Sequence, residues 1–170
     1  MPVISTQHFL ILVYLWPKRS KKVLEIKRFF YSIMALVLLY VPSLTFADCN
    51  VSSSGVSFGN YDVFAINPTD NVGTLTVNCS VETSYTLKLD QGNSGNFSER
   101  KMSNGTDFLI YNIYSDAART FIWGDGTDNS VTISGQTGAT GQHPLYGRIS
   151  ARQNVSVGNY SDTIIITIVF

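Results

Sequence analysis

The stretch GTLTVNCSVETSYTLKLD, residues 73–90, decides the fold. Leu75, Val77 and Cys79 alternate with polar residues, and after a polar interruption Tyr85, Leu87 and Leu89 do the same. A period of two places each trio on one face of a half-buried β-strand and its polar neighbours on the other. Working outward, further strands are expected at 55–59 (GVSFG), 107–116 (DFLIYNIYSD), 120–123 (TFIW), 130–135 (SVTISG), 144–150 (PLYGRIS) and in the terminal run 160–170 (YSDTIIITIVF). Clusters of Gly, Asn, Asp and Ser separate them, as turns require. Short strands at this spacing, almost without helical periodicity, predict an all-β fold: an immunoglobulin-like or Greek-key antiparallel β-sandwich.

The 170 residues sum to zero charge, but unevenly. Residues 1–47 hold six Lys and Arg against one Glu, a net of +5, and residues 48–170 hold six against eleven Asp and Glu, a net of −5. Lys21, Lys22, Lys27 and Arg28 precede the uncharged run FFYSIMALVLLYVPSLTF (29–46), and Thr45 and Ala47 supply a small-x-small cleavage site. That is the layout of a secretory signal peptide, cut after Ala47. The run is barely long enough to span a bilayer, and Pro42 and the small residues at its end favour export over anchoring. Signal peptides are usually about 15–30 residues long, so residues 1–22 are expected to be an upstream extension. Residues 48–170 suffice for one domain with a single core.

Export places Cys49 and Cys79, the chain's only cysteines, in an oxidising compartment, which predicts a disulfide between them. Closing that loop contributes about 3–4 kcal/mol in the chain-entropy model. Lipid attachment at Cys49 is disfavoured by the charged Asp48 before it.

Nothing in the domain has the pattern of covalent chemistry. His143, its one histidine, sits in GATGQHPL and reads as a surface-loop residue; it has no nucleophile motif beside it and too few companions for zinc. WGDGTDNS (123–130) offers Asp125, Asp128 and Asn129 but lacks the alternating ligands and closing Glu of a calcium loop, and it reads as a turn. Sequons at Asn50, Asn78, Asn96, Asn104, Asn154 and Asn159 fit a polar sheet surface. Arg100, Arg119, Arg148 and Arg152 are scattered through an acidic domain, which argues against nucleic acid and for surface or inter-strand roles. Trp123, Tyr111, Tyr114 and Tyr146 could stack on sugars, but a sandwich core accounts for them more simply. The expectation is a non-enzymatic protein without catalytic residues, cofactor or metal.

In the terminal run Ile164, Ile166, Ile168 and Phe170 face one way and Ile165 and Val169 the other, diluted only by Thr163 and Thr167. No charge or proline follows Asp162, so as a bare sheet edge this run would be an aggregation site.

Six blocks in order carry a resemblance: VSFGNYD (56–62), GTLTVNCS (73–80), ERKMSNG (99–105), LIYNIYSDAARTFIWGDGT (109–127), LYGRI (145–149) and GNYSDTIIITIVF (158–170). Together they resemble the spore coat U domain family, which includes pilin-like subunits of archaic chaperone-usher pili. The resemblance implies a sandwich lacking its final strand, held in the periplasm by a pilus chaperone, passed to an usher, and completed by a neighbouring pilin subunit. Ile164, Ile166, Ile168 and Phe170 would then form one edge of an acceptor groove, by the strand-addition mode of recognition. The expected function is an exported structural or adhesive subunit of a surface fibre, in contact with a host or abiotic surface. With only Asp48 ahead of Cys49 after cleavage there is no donor segment, which suits a tip-like or terminating subunit. The alternative is a self-contained secreted coat or matrix protein, with a carbohydrate-binding module behind it.

Overall fold

The computed structural model describes Phe30, Tyr31, residues 47–138 and residues 140–170. The chain divides into two units, Met1–Leu44 and Thr45–Phe170. Apart from Phe30, Tyr31 and Ala47, the segment read as a signal peptide lies outside the described residues. The second unit carries β1 (Cys49–Ser53), β2 (Thr69–Cys79), β3 (Thr83–Leu89), β4 (Arg100–Ser103), β5 (Phe108–Tyr114), β6 (Ile133–Thr137), β7 (Thr140–Ile149) and β8 (Ile166–Val169), with one 3₁₀ turn at Gly92–Ser94.

The strands form two antiparallel sheets, one ordered β1-β2-β7-β5-β4 and the other β6-β3-β8. Leu75, Val77 and Cys79 of β2 and Tyr85, Leu87 and Leu89 of β3 are all buried, so the two trios that identified the strands face each other across one core. Leu109, Tyr111 and Ile113 of β5 and Leu145 and Ile149 of β7 complete it, with Trp123 fully buried. Burying a large apolar side chain is worth about 1.5–3 kcal/mol, which is why the alternation dominates local propensity.

Two expected strands take other forms. Residues 55–59 leave the ladder because Gly55 and Gly59 adopt left-handed backbone, φ +66° and +71°. Around Trp123 the chain crosses between sheets rather than extending one. Trp123 N donates to Ile113 O in one sheet, while Gly124 O accepts Leu89 N and Leu87 O accepts Trp123 Nε1 in the other. The turn reading of 123–130 holds: Asp125 Oδ1 accepts Thr127 N, and Gly126, Asp128 and Asn129 all have positive φ.

The disulfide joins Cys49 to Cys79, which are directly opposed where β1 pairs with β2. Replacing both cysteines with alanine should cost about 2–5 kcal/mol, seen as a lower urea midpoint than that of the oxidised protein.

Of the two roles expected for Arg100, surface or inter-strand, the folded chain shows the second. It is fully buried, not a surface residue: Nε and Nη2 donate to Asp90 O, Nη2 also to Trp123 O, and Nη1 to Asn112 Oδ1. Arg148 also acts between strands, as a two-bond pair with Asp70 across β2 and β7, which Arg119 joins at 3.3 Å. That pairing holds the Asp70 carboxyl below its usual range, the Arg148 hydrogen bonds contributing most.

His143 is a correction to the surface-loop reading, because it lies within β7 opposite Leu75. Its half-buried ring faces inward, with Nε2 2.7 Å from Tyr85 Oη and the ring edge-on to Tyr85 and Trp123. Burial lowers its pKa from the ordinary 6.5, so the folded state binds this proton less readily than the unfolded chain. Its contribution to stability is therefore complete above pH 6.5 and is lost as pH falls below it. Urea midpoints measured from pH 7.5 downward should decline first in this window, before the carboxylates titrate, and His143→Gln should flatten that first decline.

Candidate functional site: an open strand edge over an apolar groove

The site begins at β8, which is hydrogen-bonded to β3 on one side and is the outermost strand of its sheet. Asp90 N donates to Ile165 O, so Ile165, and by alternation Thr167 and Val169, turn their backbone groups toward β3. Ile166 and Ile168 therefore turn theirs to the open side. Their side chains, with that of Ile164, are half-buried and pack on the core, whereas Ile165 and Val169 are 63% and 52% exposed. Phe170 follows the end of β8 and is 56% exposed.

Beside this edge the sandwich is open. A cavity of about 910 Å³ runs between the segment 55–61 and the segment 155–164 with Ile166, over a floor that includes Leu89, Met102, Leu109, Tyr111 and Leu145. Ile164 and Ile166 line it; Ile168 and Phe170 do not. The second wall is held at its base, because Ser161 exchanges both backbone hydrogen bonds with Ser103 of β4. Tyr111 Oη donates to Asp162 Oδ2 at 2.7 Å, and burial first, then this bond, push the phenol pKa up.

The first wall is a part of the site that sequence reasoning did not find. Val56 and Phe58 lie over Gly147 of β7, where an added Cβ would stand 2.7 Å from each. Asn71 Nδ2 donates to Ser57 O, and Tyr61 Oη donates to Ser150 O and accepts from Gln153 N. A signal was available: Gly147 interrupts the inward series Leu145, Gly147, Ile149, and a glycine there marks close approach by another segment.

Among the described residues no group of three or more His, Cys, Asp and Glu side chains is placed to hold a metal ion. What the site offers is open-edge strand backbone beside a trough with an apolar floor, the two requirements for accepting an extended peptide. Trp123 and Tyr111 belong to the core, and Tyr114 and Tyr146 are half-buried opposite one another on β5 and β7.

The family model described as Spore Coat Protein U domain matches residues 35–167. Protein U of Myxococcus xanthus is 30% identical over 139 residues, spanning 72% of this chain and 77% of that protein. Among solved structures, a chain from the CsuC-CsuE chaperone-tip adhesion subunit pre-assembly complex of the archaic chaperone-usher Csu pili of Acinetobacter baumannii matches with a TM-score of 0.51 at 24% identity. That match covers 74% of this chain and 40% of the other, and it is a likeness of fold. With most of its length matched by the family model and its two sheets arranged as described, the chain belongs to the Spore Coat Protein U domain family.

Proposed function

We propose that this protein is an exported structural or adhesive subunit of a chaperone-usher surface fibre, and that it works by accepting a β-strand from another polypeptide. The observation that supports this most is the open edge of β8 beside the apolar groove. Left bare, such an edge templates aggregation; an added strand pairs with the free backbone of Ile166 and Ile168 and buries alternate side chains. Each large apolar side chain so buried is worth about 1.5–3 kcal/mol. A periplasmic chaperone would supply the strand in transit, and after the usher a neighbouring subunit would supply it in the fibre. Ile164, Ile166, Ile168 and Phe170 are the proposed contact edge. The fold likeness to a chain of a chaperone–adhesion subunit complex agrees with this reading.

The test is co-purification from periplasm with a chaperone encoded beside the gene. A stable 1:1 complex is expected; a protein that stays soluble and monomeric and never associates with chaperone or usher would overturn the proposal. A terminating position in the fibre is the finer proposal, and it requires processing that leaves Asp48 ahead of Cys49. N-terminal sequencing of the exported protein reads this directly, and a retained segment of about ten residues, long enough for a donor strand, would refute it.

A self-contained coat or matrix protein is the second reading, favoured by a core already closed around Leu75, Val77, Leu87 and Trp123, each fully buried. It predicts that the exported domain folds alone and gains no stability from added strand peptides.

A further inference from the structure

Tyr111 touches both walls of the groove. Its ring meets Phe58 edge-on, with centroids 6.1 Å apart and planes at 71°, and its hydroxyl reaches Asp162 on the opposite wall. Tyr111 is itself fixed between two neighbouring strands, 5% exposed, opposite Arg100 of β4 and Ile149 of β7. Neither wall contact can drift far. Phe58 occupies the space that Gly147 leaves free, and Asp162 Oδ1 accepts Asn93 N at 3.1 Å and Thr163 N at 2.8 Å. The Asp162 carboxylate also fills the space over Gly92, where an added Cβ would stand 2.9 Å from its Cγ. Ring, ring, hydroxyl and carboxylate thus form a continuous chain of contacts across the trough.

We propose that Tyr111 sets the width of the groove, and that an incoming strand must present a small side chain where it crosses the Phe58–Tyr111–Asp162 bridge. The inference rests on the strand-accepting reading above. Elsewhere the floor is Leu89, Met102, Leu109, Ile113, Leu145 and Ile149, apolar side chains with no polar tie across the trough, of which Met102 adapts its shape most readily to a bulky residue. At the bridge the groups are tied at both ends, and a bulky residue has to break a hydrogen bond to a carboxylate to enter. A groove tied across at one point by a ring contact and a charged hydrogen bond reads the sequence of its strand at that point.

The test refolds the exported, oxidised protein from urea with an equimolar pair of alternating Val-Thr peptides of about nine residues, an ordinary strand length. One peptide of the pair carries Ala and the other Phe at one inward position, and each inward position is tried in turn. Native mass spectrometry gives the ratio captured. The parent should prefer Ala at one position by at least about tenfold, the scale on which a shaped apolar pocket discriminates. Tyr111→Phe keeps the ring and releases Asp162, and should bring that ratio within about threefold while still capturing both peptides. Asp162→Asn, which retains an acceptor oxygen, should preserve the preference. An unchanged ratio in Tyr111→Phe overturns the role assigned to Tyr111 and leaves strand acceptance standing. A parent that captures no peptide overturns both. Should Tyr111→Phe not refold, Asp162→Ala carries the test with the same two outcomes.

Discussion

Arg100→Ala is expected to destabilise the domain by about 3–5 kcal/mol, the range for stripping one partner from a buried charged network. The guanidinium is fully buried, yet all four of its hydrogen bonds end on uncharged oxygens: Asp90 O twice, Trp123 O and Asn112 Oδ1. Its charge is offset by the Phe97 ring, 5.3 Å from the guanidinium carbon, and at longer range by the Asp90 and Asp162 carboxylates, while burial still lowers its pKa. Alanine would leave Asp90 O and Trp123 O bare, each costing about 1–3 kcal/mol with partial relief from entering water, and the third acceptor, Asn112 Oδ1, with Ile113 N alone. The three lie on β5, on the crossing segment and just beyond β3, so the residue ties the two sheets together at one end. Lysine should rescue little, because one ammonium cannot serve a forked set of acceptors. Urea unfolding gives the measurement, and a loss under about 1 kcal/mol would refute the assignment.

Ile166→Asp is expected to reduce strand capture by roughly 100-fold or more, since burying an unpaired carboxylate costs at least about 3 kcal/mol. Ile166 faces the groove, half-buried against the core. Ile165→Asp, one residue away on the exposed face, is the control and should change capture by no more than about threefold. Because the strand has period two, the two variants differ in side and in little else. Capture of a chaperone from periplasm provides the readout. Equal effects at the two positions would show that the groove face of β8 is not the contact edge, and Ile166→Ala, which adds no charge, separates loss of capture from failure to fold.

Wherever contacts are local the fold could be read from the sequence. Leu75, Val77 and Cys79 reveal their strand because alternation is a property of adjacent residues, and the burial of all three follows from it. Arg100 could not be read in this way: its acceptors lie on Asp90, Asn112 and Trp123, and only the folded chain brings them to one point. His143 misled for a different reason. The glycines before it suggest a loop, and Gly138 does lie in the bend between β6 and β7, but Gly141 lies within β7 and admits the Tyr85 hydroxyl, so it serves packing and not turning. The C-terminal run announced its two faces correctly at Ile164, Ile165 and Ile166. That its outer edge lies open is a property of the whole sheet, and so is the wall formed by Val56 and Phe58.

The bond between Cys49 and Cys79 also bears on mechanical load. Tension applied at Asp48 enters the domain at the first residue of β1, where an unlinked strand would peel from its neighbour one pair at a time. The covalent link sits at that first pair, so peeling cannot start. The pull passes directly to β2, whose long register with β7 runs from Thr69 opposite Ile149 to Asn78 opposite Thr140. A domain wired this way resists being unravelled from its front end until the sulfur bridge is reduced.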